Sequence, residues 1–189
     1  MLTTRTLLAG GLVAAVLAMQ GCAITSATYQ PSIDNVELMK KASPRAVALG
    51  SFTVQAGAPG ATAIGLRGAS MNSPVGADYA AYLADALKQE LVLAGKLDPK
   101  SDLVIAGTLL KNDIAAGGIS TNSGEIEAPF VVRSGGTARY DAVKRADASW
   151  ESSFAGAIAV PKAQQQYPQL VAQLLNKLMA DPQFIAALR

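Results

Sequence analysis

The chain has 189 residues, half of them hydrophobic, with 16 Lys and Arg against 14 Asp and Glu, a single cysteine and no histidine. A formal charge of +2 without a basic cluster excludes a nucleic-acid surface, which calls for a Lys/Arg patch. The missing histidine removes the usual general base and the commonest metal ligand, and a lone cysteine allows no internal disulfide. The length suits one domain. At its start, Arg5 supplies a small positive region and residues 7–19 an apolar run, followed by Gly21 and Cys22. A bilayer core of about 30 Å takes ~20 apolar residues. The run is too short to span it and reads as a cleaved export signal.

The stretch Met19-Gln20-Gly21-Cys22 resembles the lipobox of bacterial lipoproteins, with Met19 where that family usually has Leu and Gln20 where a small residue is usual. The resemblance implies that residues 1–21 are a signal peptide and that Cys22 is acylated and becomes the mature N-terminus. Three acyl chains are implied, palmitate among them. Each buried CH₂ adds about 0.8 kcal/mol, so three chains amount to durable anchoring. Ala23 stands where an inner-membrane retention signal would place Asp, which by analogy implies the outer membrane, with the domain facing the periplasm.

Residues 22–44 are polar, with a Ser/Thr-rich start and Pro31, and read as a flexible tether; a helix over 36–41 is the alternative. Residues 45–54 alternate as a strand (Val47 and Leu49, Phe52 and Val54). Residues 55–74, rich in Gly, Ala and Pro, read as a long loop of the functional or mobile kind. Tyr79, Leu83, Ala86, Leu87, Leu91 and Ala94 recur at helical spacing and predict a helix over 77–94, with Asp78 in its first turn and Gly95 past its end. Residues 102–111 predict a strand buried on both faces, 115–124 a flexible Gly/Ser/Asn loop, and 125–133 a strand in which Pro129 marks an edge or a bulge.

Ser134-Gly135-Gly136 forms a tight turn into a long alternating segment. Tyr140, Ala142, Ala146, Ala148, Trp150 and Phe154 share one face of it, and Lys144 interrupts that face. Pro168, after Tyr167, takes the first position of a second helix. Its apolar stripe is Leu170, Val171, Leu174, Leu175, Leu178 and Met179. Asp181-Pro182 caps a short last helix holding Phe184, Ile185 and Leu188.

This order predicts an α+β fold for residues 45–189 as a single domain: a two-layer sandwich, with an about four-stranded, mostly antiparallel sheet and two helices on one face. The layout from 45 to 188 resembles small envelope lipoproteins with an anticodon-binding-like sandwich. Among these are the auxiliary lipoproteins of envelope transport systems and the curli-secretion lipoprotein. The resemblance rests on element order.

Candidate chemistry is sparse. Glu125 and Glu127 share a strand face and could pair as acid and base, although such a pair is more often the solvated side of a strand. Gly65 and Gly68 make no dinucleotide fingerprint, and Gly95-Lys96 makes no phosphate loop. Asp102 and Asp113 are too far apart for a calcium loop. Tyr140, Trp150 and Phe154 could line a groove, but aromatic residues at strand spacing more often serve the core. The expectation is a non-catalytic protein with no cofactor and no metal. It would be anchored to the membrane through Cys22 and act as an adaptor or accessory subunit of an outer-membrane or trans-envelope assembly. Its partners would be the membrane and an envelope protein, not nucleic acid. The alternative is a periplasmic binding module holding a small apolar or lipidic ligand between helices and sheet.

Overall fold

A computed structural model describes residues 23–189, so the export signal and Cys22 lie outside the described residues. The elements run β1 (Ala23–Thr25), α1 (Ile33–Ala42), β2 (Ala48–Val54), β3 (Ala63–Leu66), β4 (Ala69–Asn72), α2 (Tyr79–Leu93) and β5 (Leu103–Leu109). There follow β6 (Lys111–Ala115), β7 (Thr121–Ser134), β8 (Thr137–Glu151), α3 (Gly156–Met179) and α4 (Pro182–Ala187).

The main sheet is built on the β7–β8 hairpin, whose turn residues Gly135 and Gly136 have φ of 55° and 86°. Two successive positive φ values suit the twist of a tight hairpin, and glycine adopts them without strain. β8 covers one edge of β7 along its length, while β5 and β6 take successive stretches of the other edge. β2 then adds to β5 in parallel. Gly107 opposes Phe130 and Lys111 opposes Glu127, so residues 108–110 face only Ala128 and Pro129. The Glu127 carbonyl accepts the Leu110 N–H at 2.9 Å. Residue 127, and by alternation residue 129, therefore direct their main-chain groups toward this break. Pro129 brings its missing N–H to a place where the ladder is already interrupted. The edge expected at Pro129 is absent because β7 is an interior strand, and the proline instead faces the break between β5 and β6.

One face of this sheet carries the core. Ile126, Ala128, Phe130 and Val132 of β7 are fully buried, and Tyr140, Ala146 and Trp150 of β8 are buried with them. α2 packs over β2 and β5, α3 over β7 and β8, and α1 lies against both helices. Asp78 caps α2 by accepting the Ala81 N–H at 2.9 Å. In α3 a single stripe of Ala159, Ala163, Tyr167, Leu170, Val171, Leu174, Leu175 and Leu178 is buried.

Several expectations are corrected. The fold is α+β, but the main sheet is mixed and has five strands, and a second sheet of three strands has the order β1-β4-β3. Four helices, not two, are present among the described residues. Residues 23–44 are not a free tether. β1 pairs with β4, and Tyr29, Val36 and Met39 enter the core. α1 has a capping Ser32 and ends on Lys40 and Lys41, which complement its dipole. Residues 55–74 are not a long loop either, because β3 and β4 pair through Arg67-Gly68 and bury Ile64, Leu66 and Met71. Pro168 does not begin a helix; it lies inside α3, which starts twelve residues earlier at Gly156. Phe154 lies beyond β8 and is 78% exposed, not on the core face.

Leu174 is fully buried in the stripe of α3. Leu174→Ala should therefore lower unfolding free energy by ~2–5 kcal/mol through lost burial and a cavity, measured as a fall in the urea midpoint without a change in slope.

Candidate functional site

The outer face of the main sheet holds Glu125 and Glu127. Register sets Lys111, Glu127 and Arg145 in one row across β6, β7 and β8, and Asp113, Glu125 and Asp147 in the next. Glu125 is clamped between two cations, with Lys111 Nζ at 2.7 Å and Arg145 Nε at 3.0 Å. The two partners fix the position of the Glu125 carboxyl group on this face. A shallow depression of about 530 Å³ lies over this face, lined by Asp113, Ser123, Glu125, Arg145, Asp147 and Ser149 among others. Among the described residues no group of three or more His, Cys, Asp or Glu side chains is placed to hold a metal ion.

Of the three aromatic residues proposed for a groove, Tyr140 and Trp150 pack into the core. Tyr140 meets Phe184 edge-to-face at 5.5 Å. Lys144 does not mark an exit of the strand from the core. Its ammonium donates to Asp181 Oδ2 at 2.6 Å, and the Tyr140 hydroxyl donates to the same oxygen at 2.8 Å. Asp181 also caps α4 by accepting the Gln183 N–H at 2.8 Å. Partial burial acts to raise the Asp181 pKa, but the bonds from Lys144, Tyr140 and the Gln183 amide outweigh it and hold the carboxyl at about 2. At the opposite border of the sheet Asp102 joins Arg45 to Ser134, whose hydroxyl bond keeps its carboxyl below the ordinary range, with Arg45 adding to it.

A buried polar node was hidden from sequence reading. Glu90 of α2 is fully buried, and its Oε1 accepts from the Tyr29 hydroxyl, the Ser32 N–H at 3.0 Å and Asn35 Nδ2 at 3.2 Å. Its Oε2 has no protein partner. Asn35 extends the node to α3 through the Ala172 carbonyl at 3.1 Å and Asn176 at 2.9 Å. Beside it, Tyr79, Tyr82 and Tyr167 form a cluster with centroids 4.8 to 6.1 Å apart, and Tyr29 stands edge-on to Tyr82 at 6.4 Å. Burial pushes the phenol of Tyr79 up to about 12, and that of Tyr29 further, with Glu90 adding to the latter. These phenols are structural hydrogen-bond donors. The helical position of Tyr79 was legible, but Tyr82 fell outside the predicted stripe and Tyr29 had no such signal.

A second unanticipated feature is Arg67, in the β3–β4 turn. Its guanidinium donates to the carbonyls of Ala116 at 2.6 Å, Gly118 at 2.5 Å and Phe154 at 2.5 Å. It stitches together the loop before β7 and the loop after β8. That end of the molecule also exposes Ile119, Phe154 and Ile158. The only sequence signal for it was a lone cation in an otherwise uncharged stretch, residues 55–77.

The sequence matches no protein-family model and no curated protein. In three dimensions it is similar to a Xanthomonas campestris protein of the DUF330 family, with a TM-score of 0.53 and 14% identity over 87% of this chain and 96% of that one. A hypothetical protein of Chlamydia trachomatis gives a TM-score of 0.47 at 11% identity, over 76% of this chain and 99% of its own. A candidate lipoprotein of Caulobacter crescentus gives 0.42 at 12% identity, over 55% and 80%. The first likeness shows a shared α+β fold; the other two are too distant to bear on fold or function.

Because the Asp181 pKa is lowered from 3.8 to about 2 in the fold, its contribution to stability is complete above the unfolded value and is lost as pH falls through about 2. After allowance for solvent screening the step is on the order of 1 kcal/mol. Asp181→Asn should remove this part of the acid-side loss, read as a flatter dependence of the urea midpoint between about pH 4 and about pH 2.

Proposed function

We propose that the protein is a non-catalytic, lipid-anchored envelope protein. It would be held in the outer membrane through acyl chains on Cys22 and serve in the periplasm as an adaptor or accessory subunit of an outer-membrane or trans-envelope assembly. The observation that carries this reading is the passage from Cys22 to β1. The chain's only cysteine ends an apolar leader and is joined by a single peptide bond to the first residue of a paired strand. An anchor there would hold the domain against the membrane without an intervening spacer. Among the described residues no helix is long and apolar enough to cross a membrane.

The sheet's outer face supports a protein partner over a small apolar ligand. The space between α2, α3 and the sheet is filled by Leu83, Leu87, Phe130, Leu170 and Leu174, all essentially inaccessible. The depression of about 530 Å³ on the outer face is charged, not apolar. Rows of fixed charge orient an approaching partner and discriminate against the wrong one. Both Glu125 oxygens are engaged, Oε2 by Lys111 and Oε1 by Arg145, which supports a place in a charged face over one in catalysis.

Cys22→Ser should yield unprocessed precursor or a soluble periplasmic form. The mutant found in the detergent phase at the mature mass would overturn the anchor. Glu125→Gln and Glu127→Gln should each leave cellular function intact at normal envelope levels. An essential acid or base would instead contribute ~10²–10⁴-fold in rate, so abolished function with partner capture in envelopes retained would replace the adaptor with an enzyme.

A further inference from the structure

The strands give the molecule two distinct ends. β8 has 15 residues, which at about 3.3 Å per residue separates those ends by roughly 50 Å. One end carries the β7–β8 turn and the approach to β5. The other carries the loop before β7, the loop after β8 and, tied to both through Arg67, the turn of the β3–β4 hairpin. Ala23 pairs with Ser70 of that hairpin, so the chain leaves the described structure toward Cys22 at the same end. Exposed apolar side chains also gather there: Phe154 at 78%, Ile119 at 74% and Ile158 at 58%. The charge pattern agrees. Residues 23–33, 55–77, 114–124 and 152–180 contain no Asp or Glu, and their only formal charges are Arg67, Lys162 and Lys177.

We infer that this end is a membrane-contacting surface: Ile119, Phe154 and Ile158 enter the headgroup–acyl boundary of the bilayer, beside the anchor. The inference rests on the reading that Cys22 is acylated and adds what the anchor alone does not supply, a fixed orientation of the domain. An acyl chain restrains only one point, whereas three apolar side chains, two on the loops stitched by Arg67 and one in the first turn of α3, define a plane. The loops that bear Ile119 and Phe154 contain no Asp or Glu, Glu151 at the end of β8 being the carboxylate next to them, and their bulky side chains suit the boundary region that interfacial segments occupy. The outer face would then stand roughly perpendicular to the membrane, its rows of charge running parallel to the bilayer and open to a partner in the periplasm.

The test uses the full-length lipidated protein, purified from envelopes and reconstituted in vesicles of phosphatidylethanolamine and phosphatidylglycerol. Phe154→Cys, and Lys100→Cys at the far end as control, are labelled with a thiol-reactive nitrobenzoxadiazole dye. Both sites are exposed, so neither change removes a core contact. The dye at 154 should emit in the blue, sit roughly 5–10 Å into the boundary and be quenched by spin-labelled lipid severalfold more than the dye at 100. Equal, water-like emission at both sites in protein that floats with the vesicles would overturn the membrane surface and leave the anchor standing. A dye at 154 shielded from water but not quenched by lipid would overturn it in favour of self-association. Wild-type protein that takes up the dye at Cys22, or fails to float, would overturn the anchor and this inference together.

Discussion

Pro168 has no N–H to offer the carbonyl of Gln164, the acceptor four residues behind it in α3, and the architecture depends on what replaces that donor. The Ala27 N–H reaches the carbonyl at 3.4 Å. The Gln164 side chain returns a bond from its amide to the Thr25 carbonyl at 2.5 Å, and the Tyr82 hydroxyl holds the Ala27 carbonyl at 2.9 Å. A helix flaw thus becomes a receptor for the chain's first ordered segment. With residues 25–27 fixed, β1 lies along β4, and Tyr29 reaches the tyrosine cluster and Glu90.

Glu90 makes that arrangement hard to undo. A buried carboxylate with no cation beside it is tolerated only while its hydrogen bonds are kept, and breaking them costs several kcal/mol. The donors to Glu90 come from Tyr29, Ser32 and Asn35, all in the N-terminal segment and α1. α2 therefore carries an acceptor that only the correctly docked N-terminal region satisfies. That is a specificity device more than a source of net stability. It joins the part of the chain nearest Cys22 to the helices covering the main sheet.

Much of the fold was legible because its signals are local. The helical spacing of Tyr79 through Ala94, the paired glycines at 135 and 136, and the Asp181-Pro182 cap each report on a few neighbouring residues, and each matches the structure. Pro129 was legible as an interruption of pairing because a missing N–H has few places to go in a sheet, though the interruption is the gap between β5 and β6. Two of the failures involve partners distant in sequence. Residues 23–32 look like a tether until Gln164 and Glu90 are in place, and Pro168 looks like a helix start until Ala27 supplies the absent donor. The hairpin at 63–72 was obscured by Ala, Gly and Ser, whose strand preference is weak and whose pairing is settled by burial of Ile64, Leu66 and Met71. Among candidate site residues, Glu125 and Glu127 were placed on a common face, but the clamping by Lys111 and Arg145 needed the register of β6 and β8. Cys22 lies outside the described residues, and its role remains a proposal from sequence.

The bond between Gln164 and Thr25 spans 139 residues, and contacts of such separation close late because the intervening chain must first be ordered. The contact of residues 25–27 with α3 therefore forms only once α3 has been made, whereas β1 can already pair with β4. In a chain that emerges from a membrane N-terminus first, its receptor on α3 does not exist until nearly all of the polypeptide has followed. On the proposed reading this timing matters for maturation. The segment next to Gly21 and Cys22 reaches its place against Gln164 only after α3 has followed it across.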